Sequence, residues 1–465
     1  MRTRHSLLLG LLVVAAPVVA QPSRAPTTYD RAIAAGYKAL TLCSAIFNAG
    51  RTQAQAEALE LTGIYPEYDA IVPTLSAEVI RIFHTAGGAP HVSVGFDREL
   101  RPRVARWREG EGCTIAPIDD AREGSTPRPR RPDQDRRPFA GSLDAQPWPV
   151  GEPTAPVRTP AALARTVSRA FDGASFGTGR TTATIIVQDG RIIAEHYADG
   201  FGPHVSQRTW SVGKSIAGTL IGIAARERLL DPTARVAIPE WRDARSTIRL
   251  DDLLRMASGL HSATAGNRTD AVYFGGTSVT EELAYWPLEA RPGSRFRYAN
   301  NDILAAVRAL RTAIGDDARY HCFPRDRLFA PLGMTRTVAE RDWQGNFILS
   351  SQVWSTARDL ARLGMFWLDD GVWQGRRILP EGWMAYMTRP SGPQPATGPG
   401  YGATMWLFGA AQGLPPGSYA AQGNRGQYVM VVPSRRLVIV RRGEDATGTN
   451  FDIARFTAET LAALP

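Results

Sequence analysis

Lysine is almost missing from this chain. Of 54 basic residues only Lys38 and Lys214 are lysine; the rest are arginine. Arginine does not give up its proton inside a protein, whereas a desolvated lysine can become a neutral base. Other signatures are missing too. The seven histidines show no H-E-x-x-H or other ligand spacing, so no metal site is expected. There is no G-x-S-x-G elbow, P-loop or dinucleotide fingerprint, and no cofactor is expected. No stretch approaches the ~20 apolar residues of a membrane span. The net charge of +9 is modest, spread along the chain and unaccompanied by a helix-turn-helix, zinc-finger or RNA-binding signature. Nucleic acid is therefore not an expected partner.

Against this background, one of the two lysines stands in Thr209-Trp210-Ser211-Val212-Gly213-Lys214-Ser215, followed by the apolar run Ile216 to Ile223. Ser211 and Lys214, three residues apart at the start of a helix, stack on one face of its first turn. That spacing brings an amine within reach of a hydroxyl, the arrangement of a nucleophile and its base. The free N–H groups of a helix start also suit an oxyanion beside the attacked carbonyl.

Residues 1–20 read as a secretory signal peptide: Arg2 and Arg4, the apolar Leu7 to Val14, then Val18-Val19-Ala20 as cleavage site. A periplasmic or secreted protein is expected. In an oxidising compartment three cysteines leave one odd. Cys43 and Cys113 both precede the first linker and are predicted to pair, with Cys322 a buried thiol. Residues 21–121 read as a small N-terminal module of two helices and short strands. Residues 122–159, rich in proline and arginine, read as a solvated linker able to touch an anionic envelope surface. From 160 to 465 the pattern is globular. A helix over Ala161 to Phe171 precedes a hairpin, Thr182 to Gln188 and Arg191 to Tyr197, around Asp189-Gly190. After the Ser211 helix come Ile248 to Met256, Ser278 to Leu283 and a helix capped by Asn301 or Asp302 and running through Ile314. Two further helices, Ser355 to Trp367 and Pro380 to Met387, lead to a second hairpin, Gln427 to Val432 with Leu437 to Arg441. Phe451 to Leu464 closes the chain as a helix. The fold class expected is α+β: one antiparallel sheet completed by both ends of the domain, flanked by helices, with a mostly helical subdomain.

Two later motifs complete a set. Arg295-Phe296-Arg297-Tyr298-Ala299-Asn300 follows the serine helix, and Ala421-Gln422-Gly423-Asn424-Arg425-Gly426-Gln427 enters a late strand. With Ser211-x-x-Lys214 in that order, they resemble the S-x-x-K, Y-x-N and K-T-G elements of the serine β-lactamase/penicillin-binding superfamily. Leu250 to Leu260, Pro331 to Thr335 and Ser355 to Gly364 are similar to the class C β-lactamase-related branch. Gly371 to Trp383 and the Gly423-to-Gln427 turn are similar to its 6-aminohexanoate-dimer hydrolase-like and EstB-like esterases. The resemblance covers roughly 161–464. It implies an acyl-enzyme on Ser211, with Lys214 and Tyr298 sharing the proton. It also implies an oxyanion hole from the N–H groups of Ser211 and Asn424 beside Gly423, and Asn300 orienting Lys214 or the substrate. One departure stands out: Ala421-Gln422-Gly423 replaces Lys-Thr-Gly. The missing lysine is what meets the carboxylate of β-lactams and of D-Ala-D-Ala. Arg425 is the nearby cation that could replace it or could sit in an ion pair. The expected reaction is hydrolysis of a small ester or amide. A true β-lactamase or D-alanyl-D-alanine carboxypeptidase is the alternative, and a catalytically silent envelope-binding protein a further one.

Overall fold

The computed structural model describes residues 25–81, 89–120, 141–262 and 269–464. The expected signal peptide and residues 122–140 of the expected linker lie outside them.

Helix α1 (Thr28–Phe47) opens the described chain. Thr27 starts it with a capping box: its hydroxyl accepts from the Asp30 N–H while the Asp30 carboxylate accepts from the Thr27 N–H. Four strands follow as an antiparallel meander, β1 (Ala77–Ile80), β2 (His91–Val94), β3 (Arg103–Arg108) and β4 (Gly112–Ile115). Cys43 of α1 is bonded to Cys113 of β4, with S–S 1.97 Å, and Cys322 is a buried free thiol.

This N-terminal segment shares one apolar cluster with the rest of the molecule. Tyr37 and Tyr65 pack on Phe274 with centroids 4.9 and 5.6 Å away. Ser44, Asn48 and the Cys113 N–H all donate to the buried Glu340 carboxylate, at 2.6, 2.9 and 3.0 Å. The end of the proline-rich stretch is likewise no solvated linker. Trp148 donates its indole N–H to Gly190 O at 2.9 Å and lies against the Arg362 guanidinium. Asp144 pairs with Arg336 at 2.6 Å. A half-buried indole and one paired acid hold this strap down where composition alone suggests solvent.

Helix α2 (Ala161–Arg169) leads into the hairpin β5 (Thr181–Gln188) and β6 (Arg191–Tyr197). Helix α3 (Val212–Arg226) follows, then a largely helical stretch containing α4 (Asn300–Ile314) and α5 (Ala357–Leu368). The chain returns to sheet in β7 (Gly400–Tyr401), β8 (Trp406–Phe408), β9 (Ser418–Gly423), β10 (Gln427–Val432) and β11 (Leu437–Gly443), and closes with α6 (Ile453–Ala463). The seven-stranded sheet runs β7-β8-β9-β10-β11-β5-β6, antiparallel throughout. An interior seam joins Leu437 to Gln188 and Val440 to Ile185, so both ends of the domain complete one sheet, as expected.

Successive side chains of a strand point to opposite faces. Val429, Val431, Val438 and Val440 therefore join Ile216 and Leu220 of α3 and Leu360 of α5 on one side. Met430, Val432, Leu437 and Ile439 join Leu163 of α2 and Phe456 of α6 on the other. With both faces covered, these strands read as continuous apolar runs rather than alternating ones. Each fully buried aliphatic side chain contributes about 1.5–3 kcal/mol.

One helix start differs from expectation. α4 begins at Asn300 behind Ala299, not at an Asn301 or Asp302 cap. Asn301 instead donates to His261 O at 2.8 Å, and Asp302 accepts the Ser258 hydroxyl at 2.7 Å. Both side chains serve a neighbouring loop and are unavailable to their own helix.

Candidate active site

Ser211 sits at the N-cap of α3 and Lys214 in its first turn. The preceding residue, Trp210, has φ +50°, a left-handed conformation that non-glycine residues rarely adopt. Its sharp turn carries the chain from the short strand Gln207–Arg208 into the helix. Ser211 remains partly exposed while Val212 to Ala224 are buried.

Lys214 is 1% exposed and makes three hydrogen bonds: to Ser211 Oγ at 3.1 Å, Asn300 Oδ1 at 2.5 Å and Ser350 O at 2.9 Å. The third follows from a close approach. A Cβ on Gly213 would lie 2.7 Å from Leu349 O, so the glycine lets the 349–351 backbone press onto the helix. Burial pulls the Lys214 amine down to about 7 against a smaller opposing pull from Asp302. Asp302 is itself pushed up to about 7, mainly by burial. The sequence offers Asp302 only as a helix cap, and nothing in it marks the Ser350 carbonyl.

Tyr298 enters just before α4. Its ring centroid lies 5.0 Å from Lys214 Nζ, and the nearby Ser211 hydroxyl pulls its titration down against a larger upward push from burial. Burial holds the phenol well above its ordinary value, so it stays protonated at neutral pH. Tyr401 and Trp406 back it with centroids 5.9 and 5.4 Å away.

The end of β9 closes the other side. A Cβ on Gly423 would meet Thr209 O at 2.3 Å and the Ser211 backbone nitrogen at 3.1 Å. Only a glycine lets this strand end lie against the nucleophile turn, with the exposed Asn424 next in the chain. Ala421 is fully buried within the strand.

Thus Ser211, Lys214, Tyr298, Asn300 and Gly423 converge. Arg425 is turned elsewhere. It is 7% exposed and pairs with the Glu444 carboxylate. Its remaining donors reach Asp445 O at 3.0 Å and Glu444 O at 3.2 Å. Of the two roles open to it in sequence, the structure gives it the ion pair, buried rather than on the surface. Among the described residues no cluster of three or more His, Cys, Asp or Glu is placed to hold a metal.

Fold and site are those of the β-lactamase-like class. The chain belongs to the Beta-lactamase family, whose model matches residues 167–463. A 6-aminohexanoate-dimer hydrolase from Paenarthrobacter ureafaciens is 28% identical over 262 residues, 52% of this chain and 63% of that enzyme. The chain therefore spans somewhat under two thirds of that relative's length. Among solved structures, a family VIII carboxylesterase superposes with TM-score 0.55 at 18% identity, covering 67% of this chain and 99% of the esterase. A penicillin-binding protein homologue from Caulobacter crescentus gives TM-score 0.53 at 16% identity, covering 66% and 99%. At such identities these two speak for the fold alone.

Proposed function

We propose that the protein is an exported hydrolase that cleaves a small ester or linear amide through an acyl group on Ser211. The observation that carries this is the buried Lys214 amine, drawn down to about 7 and 3.1 Å from Ser211 Oγ. Neutral Lys214 takes the serine proton as Oγ bonds to the substrate carbonyl carbon. The resulting oxyanion is met by the N–H groups of Ser211 and Asn424. As the carbonyl re-forms, the leaving oxygen or nitrogen takes a proton delivered through Tyr298, which burial holds protonated and whose ring lies beside the Lys214 amine. Water then attacks the acyl-serine, giving its proton to Lys214. Acid is released and the serine hydroxyl is restored. Asn300 and Ser350 O hold the amine in place by accepting from it.

The ester or amide preference rests on the third motif. Ala421 is buried where a carboxylate-binding lysine would stand, and the Arg425 donors are spent on Glu444 and the chain beside it. A β-lactam carboxylate would thus lack its charge-assisted partner. The name of the Paenarthrobacter relative, a 6-aminohexanoate-dimer hydrolase, agrees with this preference. The leader-like residues 1–20 and the Cys43–Cys113 bond support export.

Fluorophosphonate labelling followed by peptide mass analysis should place the adduct on Ser211 and lose it in Ser211→Ala. In steady state, p-nitrophenyl butyrate should exceed nitrocefin in kcat/KM. A better nitrocefin turnover, removed selectively by Arg425→Ala, would make the protein a β-lactamase instead.

A further inference from the structure

Arg208 is a buried cation that the reaction above does not use. It is 6% exposed, and among the described residues no carboxylate lies within ion-pair distance of it. Its charge is met by π-faces and by one loop. The guanidinium carbon lies 3.8 Å from the ring centroid of Trp210 and 5.7 Å from that of Tyr273. Nη2 donates to Ser351 Oγ at 2.8 Å and Nε to Ser351 O at 3.4 Å. Each contact borders the reacting groups. Trp210 immediately precedes the nucleophile. Ser351 follows the residue whose carbonyl holds Lys214, and Tyr273 is hydrogen-bonded to Ser350 Oγ at 2.5 Å. From the N-terminal segment, outside the family match, Tyr65 brings its ring to within 6.3 Å of the same indole.

We propose that Arg208 is a positioning residue for this hydrolase: stacked on Trp210, it holds the left-handed turn that aims Ser211, and bonded to Ser351 it fixes the carbonyl that aims Lys214. A desolvated cation–π stack is among the stronger contacts of its kind, and an indole held on that cation cannot swing the turn back to an ordinary φ. One planar side chain thereby keeps nucleophile and base in register. The inference rests on Ser211 being the nucleophile.

Fluorophosphonate separates the two claims, because its endpoint counts folded, labelled sites and its rate reports their reactivity. In Arg208→Met the acylation rate per titrated site should fall by about 100-fold, the scale on which small misplacements of reacting groups act. KM for p-nitrophenyl butyrate should stay within about threefold, since the lost contact shapes reactivity rather than binding. Adding Trp210→Gly should restore at least about tenfold of the rate, because glycine takes positive φ without help. If Arg208→Met yields no titratable sites, Arg208→Lys decides by the same readouts, keeping the charge and losing the flat stack. A per-site rate within about threefold of wild type, or no gain from the glycine, overturns the inference while wild-type labelling keeps the nucleophile reading intact. Wild-type protein that does not label at Ser211 overturns both.

Discussion

If Lys214 is the base, activity should follow the protonation of its amine. An ordinary lysine titrates at 10.5, and burial brings this one to about 7. At pH 7 that difference raises the neutral fraction from roughly three in ten thousand to about one half, a gain of about 10³ in available base. The sign is fixed: the reactive form is the unprotonated one, so kcat/KM should rise with pH. For p-nitrophenyl butyrate the rise should centre on about pH 7 and fall about tenfold per unit below pH 6. Lys214→Arg keeps the charge and removes the titration. It should lose at least the same factor of about 10³ and flatten the limb. Asn300→Asp offers a second handle, because Asn300 Oδ1 lies 2.5 Å from the amine. A carboxylate there favours the charged lysine and should move the limb upward by about 1–3 units. A profile flat from pH 6 to 9, or a limb near 10, would refute the assignment of Lys214 as base. So would near wild-type turnover in Lys214→Arg.

Tyr298→Phe should cost amide turnover about 10²–10⁴-fold and p-nitrophenyl ester turnover far less, because only the poor leaving group needs the phenol's proton; equal losses would argue that Tyr298 acts in another step. Gly423→Ala places a methyl against Thr209 O and the Ser211 nitrogen and should lower kcat about 10²–10³-fold, the worth of an oxyanion donor; the unfolding midpoint should fall as well, because the clash is with backbone, and a wild-type kcat would refute the close approach. Cys43→Ser opens a bridge spanning 70 residues and should destabilise the fold by about 4 kcal/mol in chain-entropy terms. Denaturant unfolding checks this, and an unaltered midpoint would mean the unfolded chain gains nothing from the break.

The parts of the fold that sequence made legible are those written in local pattern. The hairpin at Asp189-Gly190 and the strands around Pro433 to Arg436 announce themselves through turn chemistry and apolar runs, and Ser211-x-x-Lys214 through the scarcity of lysine. What escaped depends on groups that carry no residue signature. Ser350 holds Lys214 through a main-chain carbonyl, which any residue could supply. Asp302 looked like a helix cap because acids are common there; only the Ser258 loop packed across it gives it another partner. Arg425 could be weighed as a substrate cation only while its distance from Glu444, nineteen residues later, was unknown. The strap at Trp148 was hidden by its neighbours, since proline-rich composition says nothing about one indole finding a groove.

The seam between β5 and β11 governs when this protein can fold. Partners such as Leu437 and Gln188, or Val440 and Ile185, are separated by about 250 residues, and they lie inside the sheet rather than at its edge. Until the chain has emerged as far as Gly443, the sheet exists only as unjoined halves, each with an open edge and an uncovered apolar face. Long-range pairing of this kind slows folding, because a large loop must close before any contact rewards it. Truncations that reach into β11 should therefore act on the whole molecule at once, leaving aggregation-prone chains rather than a shortened enzyme.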